Sequence, residues 1–143
     1  MIKIRKAKPV DLDAIKSLVD SHKHELGFVL RPALMKSIDR SEVFVANGGK
    51  TIVGVLDYHH RLDQQTTIYH FVVAPQLRRQ GVGRLLVEAL KEEAKEYGKS
   101  HILLKCPEDL ESNDFYGRVG FQLTAIENGR QRRLNVWELV LIS

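Results

Sequence analysis

Apolar and polar residues alternate from the start of the chain, Ile2 and Ile4 against Lys3 and Arg5, which predicts a short strand. Pro9 then suits a first helical position, with Asp11 and Asp13 set against the positive helix end. Leu12, Ile15, Leu18 and Val19 give this helix one apolar face until Gly27 breaks it. The apolar loop from Gly27 to Arg31 leads to Pro32, which opens a second helix reaching Asp39. Glu42 to Ala46 and Thr51 to His59 read as a hairpin about Asn47-Gly48-Gly49, and Gln65 to Ala74 as a further strand. The strongest helical pattern follows, with Val82, Leu85, Leu86, Ala89, Leu90, Ala94 and Tyr97 on one face and Gly98 as its stop. His101 to Cys106 is a short apolar strand suited to a sheet interior. A helix over Glu111 to Val119 comes next, and then a hairpin of Phe121 to Glu127 and Arg132 to Ile142 about Asn128-Gly129. The order predicts an α/β chain of the α+β type: one mixed, mostly antiparallel sheet of about seven strands with about four helices, forming a single domain over residues 1–143.

Composition narrows the function classes. With 43% hydrophobic and 28% charged residues the chain has the balance of an ordinary globular domain. No apolar run reaches the roughly 20 residues of a membrane span, and no apolar leader follows Met1, so the expectation is a soluble, cytoplasmic protein without a membrane partner. The net charge of +4 is compatible with a phosphorylated ligand; without a basic face carrying interleaved aromatics, nucleic acid is not the expected partner. Cys106 is the one cysteine, and no Cys/His pair has zinc-ligand spacing, so neither an internal disulfide nor a metal is expected.

Candidate chemistry concentrates in Val72-Val73-Ala74-Pro75-Gln76-Leu77-Arg78-Arg79-Gln80-Gly81-Val82-Gly83-Arg84. An apolar strand stops at a proline and turns into a helix across two glycines. The first amides of that helix lack intrahelical partners, and with the positive helix end and the arginines they suit a phosphate. A phosphate loop of the nucleotide-hydrolase type needs Gly-Lys-Ser/Thr after its four-residue spacer, and neither lysine nor hydroxyl is present. A dinucleotide fingerprint needs a third glycine where Leu86 stands. What remains is Arg-x-x-Gly-x-Gly, in which successive amides surround a pyrophosphate. Tight packing at a strand-to-helix turn would also explain Gly81 and Gly83.

In this pattern the chain resembles the GNAT superfamily of acyl-CoA-dependent N-acyltransferases. A second match, Asn113-Asp114-Phe115-Tyr116-Gly117-Arg118-Val119-Gly120-Phe121, looks like the family's Phe-Tyr, three residues, Gly-Phe element. The opening Ile4 to Asp11 and the element order agree, though the resemblance is sharp only over about residues 71 to 121. It implies two adjacent parallel strands, Gln65 to Ala74 and His101 to Cys106, splayed at one end to admit the pantetheine arm of acetyl-CoA. Backbone groups of Phe71, Val72 and Val73 would then bond pantetheine, and amides of Arg79, Gln80, Gly81, Val82, Gly83 and Arg84 would hold the pyrophosphate, with Arg78 opening the motif. Tyr116 matches the general-acid tyrosine. Many members carry Asn and Ala where this chain has Asp109 and Ser112, which leaves the pantetheine contact between Asn113 and Asp109; Asn113 is preferred because it is neutral and both donates and accepts.

Acyl transfer to an amine needs a proton removed from the acceptor and a proton supplied to the departing thiolate. A neutral tyrosine can supply the second. For the first, residues 64 to 78 contain no carboxylate, but they contain His70, whose ordinary titration range suits a base. Strict alternation would set His70 beside Ile68 and Val72 and turn Tyr69, Phe71 and Val73 the other way. His59, His60 and Glu25 are weaker candidates. Cys106 lacks an activating partner in its local motif, which favours direct attack over a covalent acyl-enzyme. The expected function is therefore N-acetyl transfer to a small-molecule or peptide amine, by an enzyme able to form a homodimer. The alternative is an acyl-CoA-binding sensor or interaction module without catalysis.

Overall fold

A computed structural model describes residues 1–141; the predicted end of the last strand at Ile142 lies outside them. The strands are β1 (Ile2–Lys6), β2 (Val43–Gly48), β3 (Thr51–His60), β4 (Gln65–Val73), β5 (His101–Pro107), β6 (Gln122–Asn128) and β7 (Arg133–Val140). They form one sheet in the order β1-β2-β3-β4-β5-β7-β6, antiparallel throughout except between β4 and β5. The helices are α1 (Leu12–Asp20), α2 (Lys23–Leu26), α3 (Arg31–Asp39), α4 (Val82–Glu96) and α5 (Ser112–Arg118).

The long first helix expected between Pro9 and Gly27 is divided. Pro9–Asp11 is a single 3-10 turn, and α1 ends where Ser21 Oγ donates to Leu18 O at 2.8 Å and His22 Nδ1 reaches the same carbonyl at 3.0 Å. Side chains that bond the last-turn carbonyls offer the backbone an alternative to continuing the helix, and a separate one-turn α2 follows.

Apolar layers cover both faces of the sheet. Val82, Leu86, Val87, Leu90 and Ala94 of α4 pack with Leu56, Tyr58, Ile68, Ile102 and Leu104. Ile15, Val19, Leu34 and Ile38 of α1 and α3 pack with Val43, Val45, Val55 and Val72 on the other face. The predicted stripe of α4 is therefore turned slightly: Val87 is buried, whereas Leu85 and Tyr97 are 46% and 60% exposed. All of β6 is exposed, at the sheet edge. No described helix is long and apolar enough to cross a membrane.

Two departures from regular pairing shape the centre. Along β3 and β4, Asp57 is opposite His70 but Tyr58 is opposite Ile68, so Tyr69 is an extra residue, a β-bulge. Strict alternation fails there: Ile68 joins Phe71 in the α4 layer, while Val72 belongs to the opposite layer. The second departure lies between β4 and β5, which register only over Gln65–His101, Thr66–Ile102 and Thr67–Leu103. Beyond these pairs each strand stays with its outer neighbour, β4 with β3 as far as Val73 and β5 with β7 as far as Pro107. The two parallel strands are thus splayed, as the family resemblance implies.

Candidate active site

The splay opens onto a cavity of about 300 Å³. Ile68, Tyr69 and Phe71 of β4 line one wall, and Leu104, Lys105, Cys106 and Pro107 of β5 the other. Ser112 and Tyr116 of α5 close one end, and Glu25, Leu26 and Gly27 at the end of α2 close another, joined by Arg132 from the β6–β7 loop. Strand backbones that diverge inside a sheet leave ladder donors and acceptors facing the gap, so an extended ligand arm can bond there as an added strand would.

Tyr116 occupies the centre of an aromatic cluster, its ring 5.7 Å from Phe115, 5.9 Å from Phe121, and 6.3 Å from both Phe71 and Trp137. Burial, with smaller contributions from Cys106 and Glu25, pushes its hydroxyl well above the usual tyrosine range, so the group is neutral and keeps its proton. Cys106 lies in the same cavity with its thiol pushed up by burial and its Sγ directed to Pro107 O at 3.5 Å and Ser112 Oγ at 3.8 Å. A buried neutral thiol is a poor nucleophile.

From the wide end of the splay the chain turns through Pro75–Leu77 into α4. Arg79 has φ +66° and Gly81 φ +85°, both in the left-handed region, and the helix begins with no side-chain cap. Its first helical bond in this turn runs from Leu85 N to Gly81 O, so the amides of Val82, Gly83 and Arg84 have no helical carbonyl. Arg78 folds back, donating from Nε to Val73 O at 3.1 Å and from Nη2 to Glu25 Oε1 at 3.2 Å. It thereby ties the turn before α4 to the end of β4 and to the cavity wall.

The two glycines of the motif serve different ends. A Cβ on Gly81 would meet nothing within 4 Å, and its positive φ is what the turn requires. A Cβ on Gly83 would lie 2.9 Å from Phe115 Cζ, so this glycine admits an aromatic ring of the protein. The packing explanation therefore accounts for Gly83, whereas Gly81 is accounted for by its left-handed backbone and not by packing.

Asn113 is not in the cavity lining. Its Nδ2 donates to Pro107 O, Glu108 O and Leu110 O at 2.9, 3.3 and 2.7 Å, and its Oδ1 accepts from Asn135 Nδ2 at 3.0 Å and Trp137 Nε1 at 2.8 Å. With both amide protons and both lone pairs engaged within the protein, its side chain fastens the start of α5 to β7. Asp109 is held by Arg132 at 2.9 to 3.2 Å.

His70 also lies outside the cavity lining, although Tyr69 and Phe71 on either side are part of it. Its Nδ1 is 2.7 Å from Asp57 Oδ2. His59 and His60 point to other partners, Glu42 at 2.7 Å and Glu93 at 2.9 Å, beside the paired end of β4. Glu25 is the carboxylate that does reach the cavity wall. The sequence reading missed Asp57, although an acid within Val53-Gly54-Val55-Leu56-Asp57-Tyr58 is the signal that could have found it. Among the described residues no group of three or more His, Cys, Asp or Glu is placed to hold a metal ion.

A sequence model of the family described as "Acetyltransferase (GNAT) domain" matches residues 18–135. No curated protein sequence matches the chain significantly. Among solved structures, Ard1 from Thermoplasma volcanium superposes with a TM-score of 0.89 at 19% identity, covering 99% of both chains. The ribosomal-protein-S18-alanine N-acetyltransferase of Escherichia coli gives 0.82 at 18% identity over 100% of this chain and 96% of its own. The PaiA N-acetyltransferase of Thermoplasma acidophilum, solved in complex with coenzyme A, gives 0.82 at 17% identity over 98% of this chain and 99% of its own. At these identities the structural likenesses establish the fold alone.

Proposed function

Because the chain belongs to the GNAT acetyltransferase family, we propose that it transfers an acetyl group from acetyl-CoA to a primary amine by direct attack with both substrates bound. The observation that carries this reading is the cavity at the β4–β5 splay, with Tyr116 in its wall, on the strand whose chain leads through Pro75–Leu77 to the uncapped start of α4. The fold and the chemistry of the residues present suit CoA. The amides from Arg79 to Arg84 and the helix end would hold the pyrophosphate, and the gap-facing backbone of Phe71, Val72 and Val73 would hold the pantetheine. Arg78 would keep the turn in place.

Tyr116, neutral and in the cavity, is assigned as the donor of a proton to the departing sulfur. His70 is assigned as the group that takes a proton from the acceptor. Cys106, kept neutral by burial, is assigned no covalent role. The acceptor approaches from the side of α2 and the β6–β7 loop, where Glu25 and Arg132 line the cavity. A peptide amine is the first class to test, given what the E. coli neighbour is named for. We assign the protein to the cytoplasm, where acetyl-CoA is at hand.

The test is a thermal-shift titration with CoA followed by a thiol-release screen with acetyl-CoA. The acceptor panel is an alanine-initiated peptide, a lysine-containing peptide, free amino acids and a polyamine. Acceptor-dependent thiol release above the hydrolysis background supports the proposal. A CoA-dependent shift with no release from any acceptor would replace it with a non-catalytic acyl-CoA-binding module.

A further inference from the structure

We infer that Asp57 is a positioning residue that holds His70 with Nε2 as the proton acceptor, an inference that rests on the acyl-transfer reading above. The two residues are registered partners across β3 and β4, at the point where the Tyr69 bulge interrupts the ladder. The Asp57 side chain is 4% exposed and that of His70 is 23% exposed, so the carboxylate is interior while part of the imidazole reaches solvent. Asp57 Oδ2 meets His70 Nδ1 at 2.7 Å, whereas Oδ1 is buried with no hydrogen-bond partner. A carboxylate oxygen accepts, so this contact sets the hydrogen on Nδ1 and, in the tautomer it favours, leaves the lone pair on Nε2.

Sheet shape alone does not call for this pair. A buried carboxylate is a costly way to join two strands unless a partner takes it up, and the partner of Asp57 is His70. The bulge supplies the position. It leaves Tyr69 and Phe71 in the cavity wall and sets His70 between them in sequence, on the face that carries Val72. Leu26, in the α2 wall of the cavity, packs against that same layer. His70 therefore stands on the face of the sheet whose apolar layer Leu26 packs against, next to the cavity lining and outside it.

In the reaction, an N–H bond of the acceptor ammonium breaks and the proton passes through water to His70 Nε2, while Asp57 holds the resulting imidazolium by Nδ1–H. The freed nitrogen lone pair forms the new bond to the acyl carbon, and the carbon–sulfur bond breaks. Of the two protons the ammonium loses, one passes through His70 to solvent, and the other replaces the proton that Tyr116 gives to sulfur.

Two measurements test the pair. Nitrogen-15 NMR of the imidazole at pH 8 should show Nδ1 protonated and Nε2 bare in the wild-type protein, with that bias lost in Asp57→Asn. With acetyl-CoA and the most active acceptor of the panel, His70→Gln should lower kcat at least about 100-fold and Asp57→Asn about 10- to 100-fold, with acetyl-CoA Kd changed less than about two-fold in both. A bare Nδ1 in the wild-type protein, or undiminished kcat in folded Asp57→Asn, overturns the positioning role while leaving acyl transfer standing. If Asp57→Asn does not fold, the wild-type tautomer and the His70→Gln rate decide. Absence of thiol release by the wild-type protein with every acceptor overturns the acyl-transfer reading and the base role with it.

Discussion

Phe115 Cζ lies 2.9 Å from the place where Gly83 would carry a Cβ. Phe115 is itself edge-on to Phe71 at 5.7 Å and to Tyr116 at 5.7 Å, so the glycine, the cavity wall and the proposed proton donor are packed as one unit. Gly83→Ala should lower stability by about 1–3 kcal/mol by forcing the ring aside. The cost should shrink in a Phe115→Ala background, where the ring is gone. Urea unfolding of the four proteins of this double-mutant cycle measures the coupling; a cost unchanged by removal of Phe115 would contradict the packing assignment.

Gly81 should behave differently from Gly83. In Gly81→Asp the new side chain meets no neighbour, and aspartate tolerates the left-handed conformation better than most residues. Its carboxylate can bond the free amides at the start of α4, which offsets the backbone strain. The same carboxylate competes with a pyrophosphate for those amides. Stability should therefore change by no more than about 1 kcal/mol, while acetyl-CoA affinity falls at least about ten-fold, read by calorimetric titration.

Tyr116→Phe removes one oxygen from the centre of the aromatic cluster and leaves its packing. It should retain CoA binding and lose about 100- to 10,000-fold in kcat, the range supplied by a positioned proton donor. Thiol release at saturating acceptor, beside a CoA thermal shift, makes the comparison. Undiminished turnover would remove Tyr116 from the mechanism.

Acid stability should depend on Glu93. Burial by itself raises this carboxyl, but hydrogen bonds from His60, Lys6 and Tyr58 outweigh it and hold the group at about 2, against 4.5 for an unperturbed glutamate. The folded value is the lower one, so the stabilisation is fully present above about pH 4.5 and is lost as pH falls toward 2. Its size is on the order of 3 kcal/mol. In Glu93→Gln that part of the pH dependence should disappear, so that urea midpoints of the two proteins converge between pH 5 and about pH 2.

Asn113→Ala should be destabilising by about 2–4 kcal/mol, because it leaves Trp137 Nε1 and several carbonyls of the β5–α5 connection without their partner. CoA affinity should fall only as far as the loosened α5 disturbs Tyr116. A stable variant with normal unfolding would argue that the clamp is dispensable.

Most of the fold was legible in the sequence because each element carries its own punctuation: Pro9, Pro32 and Pro75 in the first turn of helical segments, Gly98 and Gly120 after helices, and apolar periodicity between. The splay could be expected only through the family resemblance, since His101 to Cys106 by itself reads as an ordinary buried strand. Ser21 and His22 ended α1 early through side-chain bonds to a carbonyl, which hydrophobic patterning does not register. The bulge at Tyr69 defeated strict alternation because it depends on the partner strand, not on β4 alone. For the same reason the sequence left Asp57 unnoticed and gave no sign of the bonds from Asn135 and Trp137 to Asn113: these partners lie more than ten positions away.

The three registered pairs between β4 and β5 are the seam between a four-stranded and a three-stranded sub-sheet. Beyond Thr67 and Leu103 no ladder crosses that seam, so the two sub-sheets can part at one end more easily than any other neighbours in the fold. An acyl donor lying in the gap would then act as a zip as well as a reactant. Amides of β4 and β5 should exchange hydrogen more slowly with CoA bound, while β2, already paired on both sides, should hardly respond.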